Sequence, residues 1–95
     1  MKLTWSPEAL EDLRSIQSYI AAENPDAARS VVMAIVRLVE IQLPEHPRSG
    51  RPGRVEGTRE LVMPNFPYIV PYCIAGDEIE ILGVQHAART WPEGL

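Results

Sequence analysis

Residues 6–43 read SPEALEDLRSIQSYIAAENPDAARSVVMAIVRLVEIQL, and this stretch decides the fold because it carries two helix-start signals in succession. In Ser6–Pro7, and again in Asn24–Pro25, a polar side chain precedes a proline. The side-chain oxygen accepts a hydrogen bond from a free backbone N–H, and proline at the first helical position sacrifices no bond. The stretch therefore predicts one helix after each signal.

Apolar residues follow each signal at the three- and four-residue spacing of an amphipathic helix. They are Ala9, Leu13, Ile16 and Ile20 in the first segment, and Ala28, Val31, Val32, Ile35, Leu38 and Val39 in the second. The pattern predicts helices near 7–22 and 25–43, with Pro44 ending the second. Because Val36 and Ile41 lie off the second stripe, that helix has apolar surface left for another helix or chain.

Three runs of β-type residues follow the helices: Arg59–Met63, Tyr68–Ile74 and Ile79–Gln85. The connections between them have the length and turn residues of hairpins. Pro71 cannot donate a hydrogen bond within the middle run, so we expect a bulge or a position that needs no N–H donor. Lys2–Trp5 adds a short first strand. The chain is therefore predicted to be a single α+β domain of order β-α-α-β-β-β, a helical hairpin packed on one face of a small antiparallel sheet.

The composition restricts the possible classes of protein. The chain has 95 residues, a formal charge of −4 and 45% hydrophobic residues, as in a soluble globular domain. Its apolar runs fall far short of the ~20 residues that span a bilayer, so we expect no membrane partner. Lys2 is followed by polar and acidic residues rather than by the apolar run of a signal peptide, so we expect a cytoplasmic location. The single cysteine, Cys73, excludes an internal disulfide and a cysteine zinc cage. His46 and His86 lack ligand-spaced partners, so we expect no metal and no cofactor.

Positive charge is concentrated around a loop that the prolines and glycines of residues 44–57 predict. Against Glu56 alone, the segment 48–59 carries four arginines: Arg48, Arg51, Arg54 and Arg59. The guanidinium group is suited to bidentate contact with a carboxylate or a phosphate. An acidic protein with one such cluster lacks the wide basic face of a general nucleic-acid binder. The cluster therefore predicts a compact anion site or an acidic partner, and no direct DNA binding by the protein alone.

Three segments carry a resemblance to a known family: GRPGRVEGTRELV (50–62), PYIVPY (67–72) and IEILGVQHAARTWP (79–92). In this order they resemble the ParE branch of the RelE/ParE toxins, the toxin components of bacterial type II toxin–antitoxin pairs, which include plasmid stabilisation systems. The resemblance covers nearly the whole chain and implies the same β-α-α-β-β-β fold. It also implies a cognate antitoxin, ParD-like with a ribbon-helix-helix domain, and a target that is either DNA gyrase or ribosome-bound mRNA.

The first functional interpretation is a toxin that inhibits DNA gyrase by direct binding. The C-terminal segment would contact the target through His86, Arg89 and Trp91, with the indole as the anchor. The second helix and the loop would bind an apolar or acidic antitoxin segment. The residues expected in that antitoxin contact are Val32, Val36, Ile41, Arg51 and Arg54.

Two other interpretations stay open. A ribosome-dependent mRNA endoribonuclease of the RelE kind needs cations for the phosphate charge and an acid or base, which Arg54, Arg59 and His86 would supply. Against it, Glu56 and Glu60 lie close enough in sequence to pair with the two arginines instead. The remaining interpretation is an inactive protein of the toxin fold that only binds its partner. The pattern thus favours binding over catalysis.

Overall fold

The computed structural model describes residues 1–87, and within them two helices pack on one face of a six-stranded sheet. The elements are β1 (Lys2–Trp5), α1 (Pro7–Ala21), α2 (Pro25–Glu45), β2 (Arg51–Pro52), β3 (Arg59–Val62), β4 (Tyr68–Ala75), β5 (Glu78–Ile81) and β6 (Gln85–His86). The predicted α+β architecture is confirmed, with the two-residue strands β2 and β6 added to it. Within the described part of the chain, neither helix is long and apolar enough to cross a membrane.

Both predicted helix starts are present. The Ser6 hydroxyl accepts a hydrogen bond from the Ala9 amide at 3.0 Å, and the Asn24 side chain accepts one from the Ala27 amide at 3.0 Å. Each bond satisfies one of the N–H groups that the first turn of a helix leaves unpaired. The two caps therefore fix where α1 and α2 begin.

The predicted end of α2 at Pro44 is wrong, since the helix continues to Glu45. Proline removes one backbone donor, so one carbonyl of the preceding turn loses its helical partner. The turn is nevertheless held on both sides of the proline. Leu43 is fully buried in the core, and the His46 amide donates to the Gln42 carbonyl at 2.8 Å. Burial of the leucine and one further helical hydrogen bond outweigh the tendency of proline to end a helix at the preceding residue.

The sheet has the spatial order β1-β5-β4-β3-β2, with β6 paired to the start of β4. The predicted strands pair antiparallel as expected, β3 with β4 and β4 with β5. β1 joins the edge of the sheet parallel to β5, so the sheet is mostly antiparallel rather than wholly so. The residues of an isolated four-residue strand do not specify its pairing partner, which is why the sequence did not predict this parallel pair.

The third predicted strand, residues 79–85, is interrupted, so its prediction as one continuous strand is wrong. Tyr72 lies opposite Ile81 in the β4–β5 pair, whereas Ile69 lies opposite Gln85 in the β4–β6 pair. Two residues of β4 therefore face three residues of the opposing segment. This excess of one residue is the definition of a β-bulge.

Pro71 lies opposite this bulge and explains it. The proline has no N–H to donate, but its carbonyl accepts a hydrogen bond from the Leu82 amide at 2.9 Å. The Val84 amide donates instead to the Asp12 carboxylate at 2.9 Å, and the Leu82 carbonyl accepts from the Ser6 hydroxyl at 3.3 Å. The bulge predicted at the proline is therefore confirmed, although its extra residue lies on the facing segment. It ties the sheet to the start of α1.

The core lies between the helices and the side of the sheet that faces them. Its buried apolar residues are Ala9, Leu13, Ile35, Val39, Leu43, Leu61, Met63, Val70, Tyr72, Ile79, Ile81 and Val84. Within residues 1–87, Glu60 is the one charged side chain that is buried, with 1% of its surface exposed. A buried carboxylate is costly unless hydrogen-bond donors surround it, and those donors lie in the candidate site.

Replacing Ile35 by alanine should lower the free energy of unfolding by about 2–5 kcal/mol, because this side chain is fully buried in the core. Ile41→Ala is the matched control on the same helix, where 62% of the residue is exposed. The control should change stability by less than ~0.5 kcal/mol. Urea titrations followed by circular dichroism measure both, and equal losses at the two positions would contradict this assignment of the core.

Candidate partner-binding surface

The candidate site is built around the arginine loop, defined as residues 46–58, which leaves α2 and returns to the sheet at β3. Its first half is held by Tyr72 of β4. The buried phenol donates to the Pro47 carbonyl at 2.7 Å and accepts from the Gly50 amide at 2.9 Å. A Cβ atom on residue 50 would lie 2.6 Å from the phenol oxygen, so only glycine fits where the loop crosses Tyr72.

The second anchor of the arginine loop is the buried carboxylate of Glu60 in β3. Arg51 donates to its Oε1 atom through Nε at 3.1 Å and through Nη2 at 3.0 Å. The Arg54 amide donates to Oε2 at 3.1 Å, and the Arg54 Nε atom lies 3.9 Å from the same oxygen. These donors compensate the cost of burying the carboxylate. The Arg51 and Arg54 side chains remain half exposed, at 52% and 44%.

Arg59 precedes Glu60 in β3 and holds the loop from the other face of the strand, since successive strand residues point to opposite faces. Its Nη1 atom donates to the Gly50 carbonyl at 2.8 Å and to the Arg48 carbonyl at 3.2 Å. The sequence indicated nearby acids as partners for both nuclease-candidate arginines. That expectation is confirmed for Arg54, which binds Glu60, and is wrong for Arg59, which donates to backbone carbonyls.

His86 lies in β6, and its ring meets the Tyr68 ring edge to face, with centroids 5.6 Å apart and planes at 81°. Both rings border a cleft of about 390 Å³ that α1 lines with Tyr19. Burial raises the pKa of Tyr68, and the nearby Tyr19 raises it further, so the Tyr68 phenol is protonated at neutral pH. His86 is exposed, whereas Arg89 and Trp91, predicted with it for target contact, lie outside the described residues.

The structure does not bring the three nuclease candidates together. Arg59 lies opposite Tyr72 and His86 lies opposite Tyr68, so their positions are four residue steps apart along β4. At a rise of ~3.3 Å per residue this is roughly 13 Å along the strand, in addition to the spacing across β4. Arg54 binds the buried carboxylate of β3 instead. One phosphate group does not reach side chains that are placed in this way.

The residues predicted for antitoxin contact on α2 divide into two groups. Val32 and Val36 are half-buried and pack against the core, so much of their apolar surface is already covered. Ile41 is exposed, and so is Met33 on the same helix. The apolar surface that α2 offers to a partner is therefore smaller than its sequence indicated, and Ile41 is its most exposed predicted member.

Sequence reasoning missed Tyr72, and it named Glu60 as a pairing partner of Arg54 and Arg59 but not as the buried anchor of the arginine loop. The available signal was a single acid within the Arg-Glu-Leu-Val strand, directly after a segment of four arginines. Alternation along β3 would place that acid away from the helices, where exposure is the ordinary expectation. Its burial depends on the path of the loop over it, which the strand's own sequence does not encode.

A second, larger cleft of about 660 Å³ also went unpredicted. Its acidic lining residues are Glu8, Asp12 and Glu80, from α1 and β5. Near it, the Cys73 Sγ atom lies 4.0 Å from the Glu80 carboxylate, and burial together with that negative charge raises the pKa of the thiol. Cys73 is therefore a neutral, weakly nucleophilic thiol at neutral pH. Among residues 1–87, no three His, Cys, Asp or Glu side chains are grouped as metal ligands would be.

Comparisons with known proteins find relatives that match nearly the whole chain. The model of the family described as ParE toxin of type II toxin-antitoxin system, parDE, matches residues 3–91. A Sinorhizobium fredii protein named as toxin Y4kP is 48% identical over 94 residues, which cover 99% of this chain and 96% of that protein. Toxin RelE2 of Caulobacter vibrioides is 31% identical over 88 residues, covering 93% of this chain and 97% of that one.

A solved structure shares the fold. It is a chain of the chromosomal ParDE TA system from P. aeruginosa, 33% identical in sequence, with a TM-score of 0.80. The match covers 90% of this chain and 95% of that chain. The α+β fold described above is therefore shared with that structure.

Replacing Glu60 by glutamine should lower the free energy of unfolding by about 1–3 kcal/mol, because the buried group loses charge-assisted hydrogen bonds from Arg51 and Arg54. Glu56→Gln is the control: it removes the same charge from an exposed residue that has no partner among the described residues. We expect a change below ~0.5 kcal/mol there. Chemical denaturation measures both variants, and a Glu60→Gln protein as stable as wild type would refute the role of the carboxylate as the loop's anchor.

Proposed function

The chain belongs to the ParE toxin family of type II toxin–antitoxin systems, and from that premise we propose that it inhibits DNA gyrase by direct binding. An antitoxin encoded beside it neutralises this activity. The observation that carries the proposal is the placement of Arg54, Arg59 and His86. The first two bind groups of the protein itself, and His86 lies on the other side of β4.

The chemistry of RNA cleavage explains why this placement favours binding. Cutting a phosphodiester requires a base, an acid and cations that all act on one phosphate group. Arg54 contacts Glu60, and Arg59 contacts loop carbonyls at a position four residues along β4 from that of His86. The formal charge of −4 also disfavours a protein that must hold RNA phosphates.

The proposed target contact is the C-terminal segment. His86 is exposed at the end of β6, and the chain continues from it through Arg89 to Trp91. Tryptophan and arginine are the residue types that most often dominate protein–protein affinity. We assign the anchor of the gyrase contact to Trp91, with Arg89 as its charged neighbour.

The proposed antitoxin is a ParD-like protein with a ribbon-helix-helix domain, and it covers a different surface. Ile41 offers an exposed apolar side chain on α2. Arg51 and Arg54 share one carboxylate between two guanidinium groups, so a positive charge remains at the surface of the arginine loop. An acidic segment beside an apolar one would complement both features. The pair acts in the cytoplasm.

A second candidate function is a ribosome-dependent mRNA endoribonuclease, because one relative at 31% identity carries the name Toxin RelE2. This function would require Arg54 or Arg59 to leave its present partners and approach His86. An inactive protein of the toxin fold, which binds only its antitoxin, is the third. Assays of gyrase supercoiling and of mRNA cleavage distinguish all three.

The purified protein should inhibit supercoiling by gyrase, or trap cleaved DNA, and should leave mRNA intact in a translating extract. Deleting residues 87–95 should abolish gyrase inhibition, because the proposed contact lies there, while antitoxin binding persists. His86→Ala should reduce inhibition far less than the deletion, since it removes one exposed ring.

Two other results would contradict the proposal that the protein inhibits gyrase. Cleavage of mRNA on ribosomes that falls about a hundredfold in His86→Ala, with gyrase unaffected, would establish the endoribonuclease instead. Neither activity, in a protein that still binds its antitoxin, would establish the inactive binding partner.

Ile41→Asp should weaken antitoxin binding by roughly tenfold or more, because a charge would replace an exposed apolar contact on α2. Leu10→Asp makes the same change on α1, at another exposed position, and should leave the affinity within about threefold. Calorimetric titration of each variant with the antitoxin measures the difference. An affinity that is unchanged in Ile41→Asp would remove α2 from the interface.

A further inference from the structure

A small polar pocket lies where the arginine loop meets the turn between β4 and β5. Its volume is about 290 Å³, and it is lined by Arg48, Gly57, Arg59, Ile74 and Gly76. Two of its five lining residues are therefore cationic, and none is acidic. The pocket is separate from Glu60, because Glu60 and Arg59 point to opposite faces of β3.

The guanidinium group of Arg59 is held in a fixed position but is only partly used. Nη1 donates to the Gly50 and Arg48 carbonyls, whereas Nε and Nη2 have no partner within residues 1–87. Every buried side-chain nitrogen and oxygen among the described residues has a hydrogen-bond partner, so these two atoms reach solvent. The Nε–Nη2 edge is a pair of parallel donors, which matches the two oxygens of a carboxylate or phosphate.

Arg48 provides the second cation of the pocket. Its side chain is exposed and has no hydrogen-bond or ion-pair partner among residues 1–87. In this it differs from Arg51 and Arg54, whose charges face the Glu60 carboxylate. Arg48 and Arg59 therefore place two positive charges at the pocket, and neither has a carboxylate partner among residues 1–87.

The remaining lining residues define what fits. Gly57 and Gly76 both have positive φ, 83° and 63°, and the space where a Cβ would lie is open at each. They leave the pocket without side chains on two sides, and Ile74 adds an apolar wall. A carboxylate carried on one or two methylene groups matches this combination of apolar wall and cationic pair.

We infer that the pocket of Arg48 and Arg59 receives one aspartate or glutamate side chain of the antitoxin. The inference rests on the proposed function and names the point where an acidic antitoxin segment is recognised. It adds an anion contact beside Arg51 and Arg54, whose two charges are matched in part by the one carboxylate of Glu60. A nucleic-acid phosphate is disfavoured, since a strand requires several adjacent phosphate contacts and the chain has a net charge of −4.

The first test measures the binding of a small carboxylate to the full-length protein without its antitoxin. The ¹⁵N-labelled full-length protein is titrated with N-acetylglutamate α-amide at low salt, and its neutral isostere N-acetylglutamine α-amide serves as the ligand control. The carboxylate should shift the signals of Gly57, Gly76 and the Arg59 Nε–H group with a millimolar dissociation constant, and the isostere should not. Arg48→Gln should weaken binding at least fivefold, whereas Arg14→Gln, an exposed arginine on α1, should not.

Inorganic phosphate is the competing probe. Shifts at these signals with phosphate but not with the glutamate derivative would overturn the assignment to a carboxylate. No shifts with either probe would overturn the pocket as an anion site. Because the Arg48 side chain has no partner among the described residues, Arg48→Gln should fold as wild type does, and its circular dichroism melting curve checks this.

The second test uses the product of a ribbon-helix-helix gene adjacent to the toxin gene. Arg48→Gln should lower its affinity by about tenfold, and most of the loss should disappear at high salt. Equal binding to wild type and Arg48→Gln would overturn the inference and leave the proposed toxin–antitoxin function intact. Absence of binding to wild-type toxin would overturn that part of the proposed function, and the inference with it.

Discussion

A carboxylate that is 1% exposed in a four-residue strand must be matched by donors, and in this chain the donors come from the segment that crosses over it. Glu60 takes two hydrogen bonds from the Arg51 guanidinium and one from the Arg54 amide. Without those bonds the charge would be buried and unpaired, which costs far more than the pair contributes. The conformation of residues 51–54 and the burial of Glu60 therefore require each other.

The alternation of a β-strand extends this constraint to the whole arginine loop. Glu60 holds the loop on one face of β3, and Arg59, its neighbour in sequence, holds the Gly50 carbonyl on the other. The phenol of Tyr72 binds the same turn through the Gly50 amide. A segment without helix, and with only one two-residue strand, is thus fixed at several points by three side chains of the sheet.

The sequence predicted the large elements well, because their signals are local. A capping oxygen, a proline and an apolar stripe all act within one or two helical turns, so both helix starts and the three β runs were predictable. The errors at Pro44 and in residues 79–85 came from contacts distant in sequence: burial of Leu43, and the opposition of Pro71 to a bulge. The arginines were predicted as one cluster, but the path of the loop divides them between two faces of β3. The spacing of the arginines in the sequence does not show on which face of β3 each one lies.

The pairing of β1 with β5 has a consequence for how the molecule is made. Lys2 lies opposite Glu78, and the Ser6 hydroxyl binds the Leu82 carbonyl across 76 positions of sequence. The helical hairpin depends on local contacts and can form early during synthesis, whereas β1 can pair only after β5 has been synthesised. The sheet edge closes only when most of the chain has left the ribosome. A nascent chain of this topology is therefore incompletely folded until residues 78–82 have left the ribosome.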